Sequence, residues 1–269
     1  VFVSDKQLVY KSNAVIEASY RLTVMEQRVI LAAITQIRRD ELITDKKMYE
    51  ISTSDLKLAC GKMTSGAFYK DMKAAVNQLY DRSVTILRAP NGGAVHDEPI
   101  STRWLQTKGI VDARGVIKIR FSHDILPYLN QLTTEFTSYA MADVLNLTGA
   151  YAFRLHELMA QYRKAGERVI SIDDLRLWLV LENKYGALCD LKKRVIDPAV
   201  QQINEKTPLR VKYTQERTKK TVTHLRFKIK DTSEPKRKRK YTEKDLLQNN
   251  QLAKPGENTS DALDRLNGA

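Results

Sequence analysis

The sequence predicts an α+β fold: two tandem winged-helix domains related by an internal duplication, followed by a disordered basic C-terminal tail. Three observations predict it. First, Ile51-Ser52-Thr53-Ser54-Asp55-Leu56 recurs as Ile170-Ser171-Ile172-Asp173-Asp174-Leu175, and Ala75-Val76-Asn77-Gln78-Leu79 recurs as Ala199-Val200-Gln201-Gln202-Ile203. Self-similarity at so long an interval implies a duplicated domain and not a solenoid of short units. Second, each copy runs helix, strand, helix, turn, helix, two-stranded hairpin, the order of a helix-turn-helix with a wing. Third, positive charge gathers in the second copy. Residues 141–230 hold 18 Lys and Arg against 10 Asp and Glu, while residues 1–140 hold 19 against 15 and residues 231–269 hold 8 against 7.

The elements follow in order. Residues 1–12 are polar and read as a loose arm, 13–140 as the first winged helix, 141–231 as the second and 232–269 as the tail. A short helix is expected over 13–18. Thr23 caps a longer one, with Glu26 as its capping-box partner and Met25, Val29, Ile30, Ala33, Ile34 and Ile37 on one face. Residues 48–51 alternate as a strand. Ser54 is expected to cap a helix over 55–60 that Gly61 stops. A third helix spans 65–80, a strand 84–88, a loop 90–99 and a hairpin 103–121. Residues 122–142 bridge the halves. The second copy then gives a long helix over 148–164 with Tyr151, Leu155, Leu158, Met159 and Tyr162 inward. A strand over 169–172, a helix over 173–181, a helix over 187–205 and a hairpin over 209–229 complete it.

Composition bounds the function. The 269 residues and 42% hydrophobic content suffice for two cores. A net charge of +13 points to a polyanionic partner, with simple solubility charge as the plainer reading. Cys60 and Cys189 are the only cysteines, with no CxxC, so neither a disulfide framework nor a zinc site is expected and a reducing cytosol fits. No apolar run approaches the ~18 residues of a membrane span, and no signal-peptide pattern opens the chain. The histidines at 96, 123, 156 and 224 are isolated, and no phosphate-cradling GxxxxGK[ST] occurs. Asp173-Asp174 and Asp97-Glu98 fit a helix N-terminus and a loop. Enzyme activity, a metal and a cofactor are therefore not expected, and the protein is expected in the cytoplasm with no membrane partner.

Two helices and a hairpin carry the candidate DNA contacts. Leu188, Leu191, Val195, Ala199 and Ile203 share one face straight through Pro198. This favours one helix kinked at Pro198 over two helices, the second starting at Asp197-Pro198. The opposite face presents Lys193 and Arg194, with Lys192 at the flank. Such residues pair with guanine O6 and N7 or with phosphates. Gln201, further along, is included in the set. On the first copy's helix, Phe68, Met72, Ala75, Val76 and Leu79 point inward. Gly66, Lys70, Lys73 and Asn77 line the outer face, with Tyr69 beside them. The second hairpin alternates, with Leu209, Val211, Tyr213, Leu225, Phe227 and Ile229 inward and Arg210, Lys212, Arg226 and Lys228 outward. Its tip over 215–221 places Arg217, Lys219 and Lys220 where a wing meets the backbone or minor groove. For each set the plainer reading is a solvated basic face. Pro235-Lys236-Arg237-Lys238-Arg239-Lys240 reads as a nuclear-localisation-type run or as an arm adding nonspecific DNA affinity.

Three stretches carry a resemblance. They are Glu17-Ala18-Ser19-Tyr20-Arg21-Leu22-Thr23 with Gln27-Arg28, Tyr151-Ala152-Phe153-Arg154-Leu155-His156-Glu157-Leu158 with Gln161-Tyr162-Arg163, and Leu191-Lys192-Lys193-Arg194-Val195 through Ile203-Asn204-Glu205-Lys206-Thr207-Pro208-Leu209. Over residues 8–231 the chain resembles the replication initiators of theta-replicating plasmids, the Rep_3 family. The resemblance implies two winged helices that bind double-stranded DNA at tandem origin repeats called iterons. It implies opening of adjacent AT-rich DNA and recruitment of a host initiator and a replicative helicase. A homodimer that represses its own gene is implied as well. The C-terminal unit would make the dominant major-groove contacts, at positions matching Lys192, Lys193 and Arg194. The N-terminal unit would add a second contact through the helix over 65–80, and the dimer interface. Two other readings stay open: a duplicated winged-helix transcriptional repressor without an initiation role, and a protein-interaction module.

Overall fold

Two serines start the duplicated cores. In the computed structural model, which describes residues 7–38, 42–61, 65–233 and 258–267, Ser52 Oγ accepts from the backbone N–H of Asp55 at 3.3 Å and opens α3 (Thr53–Ala59). Ser171 Oγ accepts from Asp174 N–H at 3.0 Å and opens α7 (Ile172–Leu179). The expected cap at Ser54 therefore lies too late in the chain. Ser54 shares a side-chain hydrogen bond with Ser52 instead. Thr53 is buried and already helical, so the helix starts where the core begins, not at the more polar serine.

Each serine ends a short strand, β2 (Tyr49–Ser52) or β8 (Glu167–Ser171). Each strand pairs antiparallel with the returning strand of a hairpin. β2 lies on β6 (Val116–Phe121), which lies on β5 (Leu105–Val111), with Ile51 opposite Ile117. β8 lies on β10 (Thr221–Asp231), which lies on β9 (Leu209–Thr218), with Ile170 opposite Leu225. The two sheets have the same strand order, which is the duplication read from the sequence. Before each stands a helix: α2 (Val24–Ile34), begun by the expected Thr23–Glu26 capping box, and α6 (Ala150–Ala160). After α3 comes α4 (Ser65–Leu79).

Four expectations need correction. The arm is a strand from residue 8. β1 (Leu8–Ser12) pairs antiparallel with β7 (Phe136–Ala140), which α5 (Met141–Leu145) follows, and α1 (Asn13–Ile16) continues from β1. Lys11 gives that stretch its polar look, yet it is buried against a carboxylate. The loop over 90–99 is shorter, because β3 (Ser83–Arg88) pairs with β4 (Val95–Arg103). β4 is an exposed edge strand, where Pro99 lacks only an N–H that would face solvent. α6 stops at Ala160, four residues early; Gly166, at φ +77°, closes the turn that follows. Tyr162 consequently faces solvent beneath the Arg168 guanidinium, 4.5 Å from its ring centre. In the tail, α10 (Thr259–Asn267) is a helix, with Asn258 Oδ1 accepting from Asp261 N–H at 2.8 Å. Asn-Thr-Ser-Asp is an N-cap signature inside a segment otherwise poor in apolar periodicity. The basic run over 235–240 lies outside the described residues.

The described residues up to Asp231 form one compact unit, and α6 is its centre. Arg154 donates to the carbonyls of Ile16 and Ala18, both at 2.9 Å, to that of Trp178 at 3.3 Å and to Tyr20 Oη. Glu157 accepts from Lys11 and Tyr139, both at 2.6 Å, and from Tyr20 at 3.2 Å. From β8, Arg168 reaches Glu17 at 2.6 Å and the carbonyl of Leu158 at 2.8 Å. Buried charges are costly unless paired in this way; the Nε of Arg154 is left without a partner. Burial pushes the Glu157 carboxyl up, but Lys11 and Arg154 outweigh that and hold it at about 2.

Candidate nucleic-acid interface

The helix that leads into the second wing runs unbroken from Leu188 to Lys206. It comprises α8 (Leu188–Leu191), a π-helical turn over Lys192–Ile196 and α9 (Asp197–Lys206). Pro198 accounts for the turn. Its ring presses on the carbonyl four residues back, and it has no N–H to offer. Widening the preceding turn relieves the clash without ending the helix. The expected single helix holds, and its expected kink takes the form of a π turn ahead of the proline. The extra residue lets Val195 and Ile196 both enter the core, beside Leu191, Ala199 and Ile203.

That turn carries the candidate readers. Lys193 and Arg194 are exposed and Lys192 is half-buried. No ion pair among the described residues engages any of the three. Gln201 is exposed too, but its amide donates to Glu205 at 2.8 Å, so the helix itself occupies it. The neighbouring Gln202 braces the fold instead, because its Oε1 accepts from the backbone N–H groups of Thr148 and Gly149. The second wing is longer than expected, so the tip shrinks to the two-residue turn Lys219-Lys220. Both lysines and Arg217 are exposed. Lys219 sits at φ +58°, a left-handed conformation that glycine or asparagine would adopt with less strain. A lysine there contributes charge at the expense of turn geometry. Arg226, expected to be an outward cation, is held between Glu167 and Glu216. The wing is tied to the helix by Tyr213 Oη, which donates to Asp197 at 2.5 Å; burial first, and then this bond, raises the phenol's pKa.

The first unit is arranged differently. On α4, Phe68, Met72, Ala75, Val76 and Leu79 are buried, as the helical spacing requires. Lys70 and Asn77 are exposed, Tyr69 and Lys73 half-buried, and Gly66 lies in the first turn. The wing between β5 and β6 closes through a 3-10 turn, Asp112–Arg114, and Gly115 at φ +59°. Asp112 Oδ1 accepts from Tyr69 Oη at 2.5 Å and from Lys73 Nζ at 2.7 Å, and Lys108 Nζ donates to Asn77 Oδ1 at 2.8 Å. The structure thus gathers Tyr69, Lys73 and Asn77 with two residues that sequence reasoning missed, Asp112 and Lys108. A carboxylate at a hairpin turn facing a basic helix was the available signal.

No cluster of three or more metal-ligating side chains occurs among the described residues, and no described helix is long and apolar enough to cross a membrane.

Two copies of helix, strand, helix, helix and wing define a tandem winged-helix protein. Residues 8–160 match the profile of the Initiator Replication protein, WH1, and residues 171–229 that of the Initiator Rep protein, WH2. The chain therefore belongs to this initiator replication protein family. An "Uncharacterized 27.6 kDa protein" of Escherichia coli is 31% identical over 221 residues, 79% of this chain and 91% of that protein. A "Replication initiation protein" of Escherichia coli is 25% identical over 205 residues, 73% of this chain and 62% of that protein. Among solved structures, the Pi initiator protein in complex with iteron DNA aligns with a TM-score of 0.69, covering 84% of this chain and 98% of its own. At 18% identity that likeness is one of fold.

Proposed function

We propose that the protein initiates plasmid replication by binding origin iterons sequence-specifically, with the second winged helix as the main reader and the first as the auxiliary one. The observation that carries this is the unpaired basic π turn of Lys193 and Arg194 on the second unit's reading helix. Family membership supports it, as does the common fold with an initiator solved on iteron DNA. The activity is binding, not catalysis. Attachment to the repeats promotes opening of the adjacent AT-rich DNA and brings in the host initiator and the replicative helicase. A homodimer represses the protein's own gene. Two linked readers on one DNA face meet successive major grooves about one turn of ~10.5 base pairs apart. Footprinting on the DNA flanking the coding region tests the reading. Several direct repeats, each protected over about 20 base pairs, two such turns, are expected. Protection of a single palindrome alone would favour the repressor reading, and protection of one half-site would remove the tandem reader.

A further inference from the structure

The two wings treat the candidate contact residues of their helices in opposite ways. In the second unit the wing turn is Lys219-Lys220, and Lys193 and Arg194 stand exposed. In the first unit the wing turn begins with a carboxylate that reaches back to the helix. Asp112 Oδ1 takes hydrogen bonds from Tyr69 and Lys73, while Lys108 of the same wing occupies Asn77. Three of the five candidate DNA-facing residues on α4 are thus engaged by their own wing.

Nothing about folding demands this arrangement. The Asp112 side chain is 66% exposed and makes no helix-capping bond. Surface ion pairs of this kind contribute little to stability. What the carboxylate does supply is an anionic oxygen between a lysine ammonium and a tyrosine hydroxyl, which is what a backbone phosphate would offer to the same two donors.

We propose that Asp112 is an internal stand-in for a DNA phosphate. It latches the first wing onto α4, so that Tyr69 and Lys73 engage DNA only by exchanging its carboxylate for a phosphate. This rests on the DNA-binding reading above and makes Asp112 a determinant of selectivity. On a duplex where the second unit has set the register, a phosphate is delivered to α4 and the exchange goes forward. On an unrelated duplex no such alignment exists, and the first unit stays closed. Hydrogen bonds from Lys73 and then Tyr69 hold the Asp112 carboxyl below its ordinary range, and the bond to Asp112 holds the Lys73 ammonium above its own. The latch is therefore fully charged at neutral pH.

The test uses the full chain and a mixed-sequence duplex about three helical turns long, about 10.5 base pairs each, titrated by fluorescence anisotropy across a salt series. Asp112→Asn should bind about ten-fold more tightly at low salt. Its log–log salt dependence should steepen by about one, the signature of one additional phosphate contact. Asp112→Ala should do the same, and Asp112→Glu should stay near the parent. In the Asp112→Asn background, Lys73→Gln should cancel the gain. Asp81→Asn is the control for net charge, since Asp81 faces Arg103 at 3.8 Å, outside the latch, and should leave affinity nearly unchanged. The latch is overturned if the parent binds the duplex but Asp112→Asn and Asp112→Ala gain nothing. It is likewise overturned if Asp81→Asn gains as much, or if the gain survives Lys73→Gln. Absence of duplex binding by parent and variants alike would overturn the latch and the DNA-binding reading together.

Discussion

Lys193 and Arg194 are exposed and make no ion pair or side-chain hydrogen bond among the described residues. Arg154, Arg168 and Arg226 are committed to carboxylates and carbonyls, whereas these two project from a π turn into solvent. If they read bases, Lys193→Ala and Arg194→Ala should each weaken specific binding by about 1–3 kcal/mol. If they touch only phosphates, the loss should be even across sequences, and the salt slope should shrink by about one per residue. A gel-shift series on repeat and scrambled DNA separates the cases; no effect of either variant would remove this helix from the groove. Also at the residue scale, burial holds His156 neutral, with a pKa of about 4 against an ordinary 6.5. Between these values the unfolded chain binds a proton that the folded chain refuses. Stability is thus complete above pH 6.5 and falls as the pH drops toward 4, by about 3 kcal/mol at 1.36 kcal/mol per unit. Glu157, held at about 2 against an ordinary 4.5, adds a second loss below pH 4.5. Urea unfolding between pH 7 and pH 3 should show both slopes, and His156→Phe should flatten the first.

Element by element, the chain is legible where local chemistry decides the structure. The Thr23–Glu26 box, the buried faces of α4 and α9 and the alternation of the second wing are all readable. Elements decided by distant partners are not. β1 looks like an arm because Lys11 is polar and Glu157 lies 146 residues away. β4 looks like a loop because its side chains face solvent. The site is legible in its cations but not in their partners. Lys73 and Tyr69 stand out on a helical face, whereas Asp112, a wing residue 39 positions beyond Lys73, does not. The resemblance motifs also prove two-sided. Tyr20, Arg154 and Glu157 build the shared interior, and only the run at Lys192–Arg194 reaches the candidate reading face. The second wing offers its own test. Lys219→Gly should relax a left-handed residue and stabilise the hairpin by about 1 kcal/mol. It should also remove one wing cation and lower the salt slope by about one. Urea midpoints and DNA titrations should therefore move in opposite directions. A loss of stability would show that the lysine side chain, not the turn geometry, holds the tip.

At the scale of the whole molecule, two winged helices are joined through a polar, charged interior and not by a free linker. Arg28 of α2 donates to the carbonyls of Leu145 and Leu147, and Ser19 Oγ donates to the carbonyl of Leu177. A fragment over 143–231 would leave Arg154, Glu157 and Arg168 without Lys11, Tyr20 and Glu17. Removing one partner of a buried ion pair costs about 3–5 kcal/mol. Division of labour between the readers is therefore better measured by substitutions in the intact chain.

The buried Lys11–Glu157 bridge bears most directly on anyone who shortens this protein. The opening dozen residues are what a truncation series would discard first, since they precede every helix and contain no candidate contact. Yet β1 is where the first residues of the chain underwrite the geometry of its second domain. Deleting residues 1–12, or only Lys11→Ala, should lower the melting temperature and weaken DNA binding through a reading helix that begins some 180 positions later. Lys11→Met, which replaces the ammonium with an apolar end, should leave the buried Glu157 with Arg154 as its one cationic partner among the described residues and do the same. Lys11→Met combined with Glu157→Gln should recover part of the loss. An affinity unchanged by the deletion would mean that the second domain stands on its own.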